Sequence, residues 1–481
     1  MSDTLSRLGD GLVAVVKEDC PTCQLVTPVL EEVRSAGMPL TVITQDDPAF
    51  PPGLEPVDDR ELEISYRLDV EAVPTLYKLS NGSIVDRRIG WNRGEWRDFT
   101  GLEELGADLP EYRPGCGSLS VEPGMPERLR LRFDDVGSTA RHITVGADED
   151  PVEACFARGW TDGLPVVPPT PERVERMLGG TRRDRNEIVT DVAPDYGECT
   201  VEKVAINAVM AGCLPECLPV VLTAVEAVCT DEFNMHGLAA TTLSMGPILI
   251  VNGPIRRRIG MNSGMNVLGQ GNRANATIGR ALQLVVRNVG GARPGAVDRA
   301  TLGSPAKYTL CFPEDEEASP WESLAAERGV AAGTSSVTVF GGESPRVVVD
   351  QQSREPESLA RTFASALRTV IHPKLVLGFD AFMVIGPEHA RVLSEGGWDK
   401  ARLREELQKL LTLDGAELVR GAGGIAEGLP KQMADQKIPK FHPDGLWFVH
   451  AGGKAGFFSA ILGGWVRGAG GTQIVTKEIR E

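Results

Sequence analysis

The sequence is poor in aromatic residues, at 5%, and holds only six histidines in 481 residues. It is also short of positive charge, with 50 Lys and Arg against 67 Asp and Glu, a formal net charge of −17. A nucleic-acid partner requires a basic stripe, and Arg256, Arg257 and Arg258 make only a short run, so that class drops out. No window reaches the roughly 18 uncharged apolar residues needed to span a bilayer. The most apolar stretches, residues 218–228 and 248–251, are broken by Glu226 and by Asn252-Gly253-Pro254. The N-terminus lacks the basic and long apolar regions of a secretory signal. Nine cysteines are too sparse, and odd in number, for a disulfide framework. These shortages predict a soluble cytoplasmic protein with no membrane and no nucleic-acid partner. Its cysteines then serve redox, metal or nucleophilic chemistry.

What is present suffices for large cores: 42% of the residues are apolar, and the length suits two to four domains. Residues 11–17 read as an apolar strand, followed by Cys20-Pro21-Thr22-Cys23 and a helical pattern to Val33. A second strand is expected over residues 39–44 and a charged helix over 58–67. Residues 75–79 and 83–87, separated by Asn81-Gly82, predict a hairpin with a type I′ turn. A last helix covers residues 93–105. The order is β-α-β-α-β-β-α.

This order, the CPTC at a helix start and the later Val73-Pro74-Thr75 resemble the thioredoxin fold over about a fifth of the chain. The resemblance implies that Cys20 attacks, Cys23 resolves, and Pro74 is a cis-proline packed against the dithiol. Two residues depart from the family: Asp19 stands where Trp is common, and Ala14 where a buried Asp is usual. Both departures point to a specialised partner rather than a general reductant. The larger C-terminal part resembles uncharacterised bacterial proteins, a likeness that implies no activity.

Residues 1–106 are therefore assigned to a thioredoxin-like domain. Residues 107–128, with Pro110, Pro114, Pro123 and Pro126, are expected to form a linker that carries Cys116 between Gly115 and Gly117. Residues 129–481 alternate apolar strands with helices, which predicts an α/β region around a mainly parallel sheet, with a subdomain break near 330–355. Three stretches share a strand, a glycine loop and an expected helix. They run into Asn252-Gly253-Pro254, Gly386-Pro387-Glu388 and Ala451-Gly452-Gly453-Lys454, a repetition that suggests an internal duplication.

Several positions are candidates for chemistry. A helix N-terminus lowers a thiol's pKa, and Pro21 suits the first helical position, so Cys20 is expected to be the exposed nucleophile of a redox-active disulfide. Cys213 and Cys217 flank Gly212 and Pro215 between two helices and form a second candidate pair, to be weighed against apolar core residues. The Gly/Asn-rich residues 260–280 lead into a helix, so Gly269, Gly271, Asn272 and Arg273 could hold an anion. Gly453 and Lys454 offer a similar loop. Its Walker positions hold Phe448 and Ala455, and Gly269-x-Gly271 lacks the third glycine of a dinucleotide fingerprint. No nucleotide or other cofactor is expected beyond the disulfide, and no complete metal site is legible. His389 and His450 lie at strand ends as candidate acid–base groups. The acidic run Glu314–Asp315–Glu316–Glu317 reads as a solvated loop.

The expectation is a thiol-dependent oxidoreductase that reduces, or cleaves a bond to, sulfur or another soft element in a small anionic substrate. A cellular thiol would reduce it, and a homodimer is compatible. A non-catalytic scaffold and a soft-metal handling protein remain as alternatives.

Overall fold

Gly11–Val16 is an apolar run buried along almost all its length, and it forms the central strand, β1, of a five-stranded sheet. The computed structural model describes Leu5, residues 7–468 and residues 470–480. The extreme N-terminus, part of the stretch whose composition argued against a signal, lies outside the described residues. The chain is mixed α/β and divides into two compact units, Met1–Gly137 and Ser138–Glu481.

In the first unit β1 leads into α1 (Pro21–Ser35), which buries Val26, Val29, Leu30 and Val33 at helical spacing. Then follow β2 (Leu40–Thr44), β3 (Val57–Asp58), α2 (Glu63–Arg67), β4 (Ala72–Val73), β5 (Thr75–Ser80) and β6 (Ser83–Ile89). The sheet order is β3-β2-β1-β5-β6, with β1, β2 and β3 parallel and β5 and β6 antiparallel to their neighbours. Asn81 and Gly82 both have positive φ, 52° and 69°, as the expected hairpin turn requires. After β7 (Trp91–Asn92) and α3 (Arg93–Thr100), residues 107–128 do not form the expected linker. They supply β8 (Tyr112–Arg113), which pairs β7, and β9 (Cys116–Gly117), which pairs β4, before α4 (Met125–Phe133) closes the unit. Proline and glycine here shape a strap folded back onto the unit, and the boundary falls at Gly137.

The second unit opens with helices Pro151–Ala157 and Pro171–Leu178 and a hairpin of β10 (Ile188–Val192) and β11 (Gly197–Thr200). It continues through α5 (Val201–Ala211), α6 (Leu218–Val228), β12 (Gly246–Asn252), α7 (Arg273–Asn288), β13 (Cys311–Pro313), β14 (Ser336–Gly342) and β15 (Arg346–Val349). There follow α8 (Pro356–Leu367), β16 (Phe379–Ile385), α9 (Pro387–Glu395), α10 (Lys400–Leu410) and the small pair β17 (Thr412–Asp414) and β18 (Lys437–Pro439). The chain ends in β19 (Leu446–His450), β20 (Phe458–Val466) and β21 (Val475–Glu478).

The large sheet has the order β13-β12-β14-β20-β16-β19, and it is not mainly parallel. Only β12–β13 and β16–β19 run parallel; β12–β14, β14–β20, β14–β21, β15–β20 and β16–β20 are antiparallel. The helix expected after Lys454 is absent, because residues 458–466 form β20. The Asp315 N–H donates to the His450 carbonyl at 2.8 Å, so the chain leaving β13 touches the end of β19 and the sheet curls towards closure. Ile248, Ile250, Phe312, Phe340, Phe382, Val384, Val449 and Leu462, drawn from all six strands, pack together on the inner face. The outer face is covered by α5, α6 and α7 at Leu249, Val251 and Val339, and by α8 and α10 at Met383, Ile385 and Phe448. Strands covered on both faces are apolar throughout. That is the pattern usual for parallel sheets, so neither it nor the alternation of strands with helices on which the expectation rested separates the two arrangements.

The pairings repeat. β12 has a parallel partner in β13 and an antiparallel one in β14; β16 has β19 and β20 in the same roles. The two halves meet at Gly342 opposite Gly464. β15, which follows β14, pairs β20, while β21, which follows β20, pairs β14. The expected break near 330–355 therefore lies within the sheet. Among the described residues no helix is long and apolar enough to cross a membrane.

Candidate active site

Three cysteines meet in the first unit. The turn between β1 and α1 is fixed by Asp46, whose carboxylate accepts from the backbone N–H groups of Glu18 (2.8 Å) and Asp19 (3.0 Å). Cys20 is the N-cap of α1, and its Sγ accepts from the Cys23 N–H at 3.4 Å, with Pro21 entering the first turn. Cys23 lies one turn inside, its Sγ 3.5 Å from the Lys17 N–H. Pro74 follows a cis peptide bond, and the preceding Val73 carbonyl lies 3.5 Å from Cys20 Sγ. The third thiol is Cys116, with its Sγ 2.9 Å from that of Cys20.

The strap that carries Cys116 is pinned on both sides. Trp91 Nε1 donates to the Pro110 carbonyl and Thr22 Oγ1 to the Pro114 carbonyl, each at 2.7 Å. Val73 stands opposite Cys116 in the β4–β9 ladder. Beyond it, Gln45 Nε2 donates to Ser118 Oγ at 2.7 Å, and the Leu119 N–H donates to Gln45 Oε1 at 3.0 Å. A Cβ on Gly115 would sit 2.8 Å from the Val73 carbonyl oxygen, so only glycine lets the strap lie this close. Cys116, expected in a linker between two glycines, is thus held in place. Cys20, expected to be exposed, has no accessible surface; nor has Cys23, while Cys116 is half-buried.

The electrostatics of the three thiols differ. The Cys23 thiol hydrogen bond holds Cys20 down at about 5 against the cost of burial. The Cys116 thiol and the N–H groups of Cys23 and Thr22 assist. Burial pushes the Cys23 thiol far up, and the neighbouring Cys20 thiolate pushes it further. Burial, and then the bond to Cys20, raise Cys116 as well. At neutral pH the arrangement is one thiolate between two protonated thiols, the charge distribution that thiol–disulfide exchange needs.

The remaining sequence candidates lie in the second unit. Cys213 and Cys217 are core residues, contrary to the expected redox pair at a helix entrance. Both are buried in the cluster under β12 and β14 together with Cys311. Burial raises Cys213 to about 12 and also raises Cys217, so neither is a thiolate. Small apolar contacts between close-packed helices account for them. His389 and His450 are likewise buried, and burial lowers both below the ordinary imidazole value. His389 spends both nitrogens, on Ser459 Oγ (2.8 Å) and on the Asp350 carbonyl (3.1 Å), between the rings of Phe363 and Phe457. His450 Nδ1 lies 3.3 Å from the Asp315 carbonyl. His450 ends β19, whereas His389 lies in the first turn of α9 rather than at a strand end, and both are packed inside without solvent access. The acidic run is solvated only in part: Glu317 is exposed, whereas Glu314 is fully buried, accepting from Asn252 Nδ2 and the Leu324 N–H, each at 2.7 Å.

The glycine-rich segments do come together. Asn272 caps α7, accepting from the Asn275 N–H at 3.0 Å, and its Nδ2 donates to the Gly260 carbonyl at 2.8 Å. Buried Asn275 ties the loop to Asn262 and Val267. The Gly452 N–H donates to the Ser263 carbonyl at 2.9 Å, and Gly453 packs against Met265. Arg273 spends its Nε on the Gly212 carbonyl (2.8 Å) but remains exposed, as do Gly271 and Lys454. Gly269 is fitted against the Asn266 side chain. Among the described residues no group of three or more His, Cys, Asp or Glu side chains is arranged to hold a metal ion.

No known family model matches the chain, and no curated protein matches it. The residue that sequence reasoning underrated is Cys116. Its only signal was a thiol flanked by glycines, and the β4–β9 pairing that brings it to Cys20 joins segments more than forty residues apart.

Proposed function

We propose that the protein is a thiol–disulfide oxidoreductase. Its dithiol, Cys20 and Cys23, is carried by a thioredoxin-like first unit, and its second unit holds a small anionic substrate. The observation that carries this reading is the Cys20 sulfur, capped onto a helix N-terminus and held at about 5 beside a second protonated thiol. The sheet order β3-β2-β1-β5-β6 and the cis Val73-Pro74 bond beside Cys20 support the thioredoxin-like assignment. For the second unit, support comes from the contact between residues 260–272 and 451–454, which leaves Arg273, at the start of α7, and Lys454, on the adjoining loop, exposed. In the forward reaction the Cys20 thiolate attacks one sulfur of a substrate disulfide, the substrate's S–S bond breaks and its other sulfur leaves as a thiolate that takes up a proton. A neighbouring thiol, deprotonated, then attacks Cys20 Sγ and releases the bound half as a second thiol, leaving an intramolecular disulfide that a cellular thiol reduces.

Quantitative thiol titration before and after reductant tests the oxidoreductase reading. A two-electron change confined to the first unit is expected and is lost in Cys20→Ser. No change on mild oxidation would favour the scaffold reading instead. For the anion site, Arg273→Ala is expected to weaken binding of inorganic phosphate by about tenfold, the weight of one charge-assisted bond. Unchanged binding would return the loop to a structural role.

A further inference from the structure

The nucleophile is sealed from solvent, and the seal is itself a thiol. Cys20 and Cys23 have no accessible surface, whereas Cys116 is half-buried between Gly115 and Gly117, which put no side chain in the way of an approaching sulfur. Its Sγ is 2.9 Å from Cys20 Sγ, about 0.9 Å longer than the ~2.05 Å of a disulfide bond. The Val73–Cys116 pairing and the Thr22–Pro114 hydrogen bond hold it there. A sulfur nucleophile or electrophile arriving from solvent meets Cys116 first.

We propose that Cys116 is the outer thiol of a three-cysteine relay, in which Cys20 exchanges its disulfide between Cys23 inside and Cys116 outside, and small thiols and disulfides react at Cys116. The inference rests on the oxidoreductase reading and deepens it. In the reductive direction Cys116, deprotonated, attacks Cys20 Sγ of the Cys20–Cys23 disulfide. The Cys20–Cys116 bond forms, the Cys20–Cys23 bond breaks, and Cys23 leaves as a thiolate that takes up the proton given up by Cys116. An external thiolate then attacks Cys116 Sγ and releases Cys20 as the thiolate that its surroundings favour. A second external thiol resolves the mixed disulfide at Cys116. Two external thiols are oxidised to one disulfide, and the protein disulfide is reduced to two thiols.

The test oxidises full-length protein with oxidised glutathione at neutral pH, quenches by alkylation and maps the disulfides without reduction. In Cys23→Ser, a Cys20–Cys116 bond is expected as the main product. In Cys116→Ser, formation of the Cys20–Cys23 bond is expected to slow by about tenfold or more, because the small disulfide has lost its point of entry. If Cys23→Ser gives only free or glutathionylated Cys20, or if Cys116→Ser oxidises at the parent rate or faster, the relay is wrong although the oxidoreductase reading stands. If the parent protein forms no disulfide at Cys20 under any of these conditions, the oxidoreductase reading falls, and the relay with it.

Discussion

Removing the Cys23 thiol should make Cys20 less acidic by a predictable amount. The Cys23 thiol contributes most to holding Cys20 at about 5, ahead of the Cys116 thiol. A hydrogen bond to a charged group contributes ~1.5–3 kcal/mol, and about 1.36 kcal/mol corresponds to one pH unit, so Cys23→Ala should raise the Cys20 midpoint by ~1–2 pH units. At pH 6 the ionised fraction of Cys20 would then fall from ~90% to ~10–50%. Cys116→Ala should move the midpoint in the same direction but by less. The assay is the pH dependence of iodoacetamide alkylation, with peptide mapping to isolate Cys20 from the other eight cysteines. An unmoved midpoint in Cys23→Ala, or a larger shift in Cys116→Ala than in Cys23→Ala, would refute the assignment of Cys23 as the main donor.

Three further outcomes are expected. Because the folded-state midpoint of Cys20, at about 5, lies below the ordinary ~8.5, its contribution to stability is complete above ~8.5 and is lost as pH falls towards 5. The difference in unfolding free energy between parent and Cys20→Ser, from denaturant melts, should therefore grow by up to ~1.4 kcal/mol per pH unit between pH 5 and 8. A flat difference would count against a buried thiolate, and the raised Cys23 and Cys116 oppose the trend only above ~8.5. Gly115→Ala, whose Cβ would press on the Val73 carbonyl at 2.8 Å, should lift the strap, cost ~1–3 kcal/mol and speed alkylation of Cys20; unchanged alkylation would show that the strap does not seal the site. In the second unit Glu202, 2% exposed, pairs with Arg185 and accepts from Ser138 Oγ (2.8 Å) and the Thr139 and Ala140 N–H groups (3.1 and 3.2 Å). Glu202→Ala should cost ~3–5 kcal/mol by leaving Arg185 partly uncompensated, and a loss below ~1 kcal/mol would refute that account.

Local chemistry was legible from the sequence wherever neighbours along the chain suffice. The apolar run before Cys20, Pro21 in the first turn of α1 and the Asn81-Gly82 turn each act within a few residues, so β1, the helix cap and the hairpin could be read directly. Helices on either side of the Gly212–Pro215 break and after the Gly/Asn-rich segment were also expected, and α5, α6 and α7 stand there. Strand direction was not legible. β12, β14, β16 and β20 are buried on both faces, and such runs carry no alternation that tells parallel from antiparallel neighbours. Burial of single side chains was not legible either. His389, Cys213 and Glu314 sit beside glycine and proline turns that suggest a surface, yet each is enclosed by segments remote in sequence. The candidate site divides in the same way. The sequence by itself determined that Cys20 caps a helix with Cys23 one turn further in, because capping is a local backbone requirement. Only the tertiary structure decided that Cys20 is sealed and that Cys116 lies 2.9 Å from it, because a two-residue ladder between β4 and β9 has no signature in either segment alone.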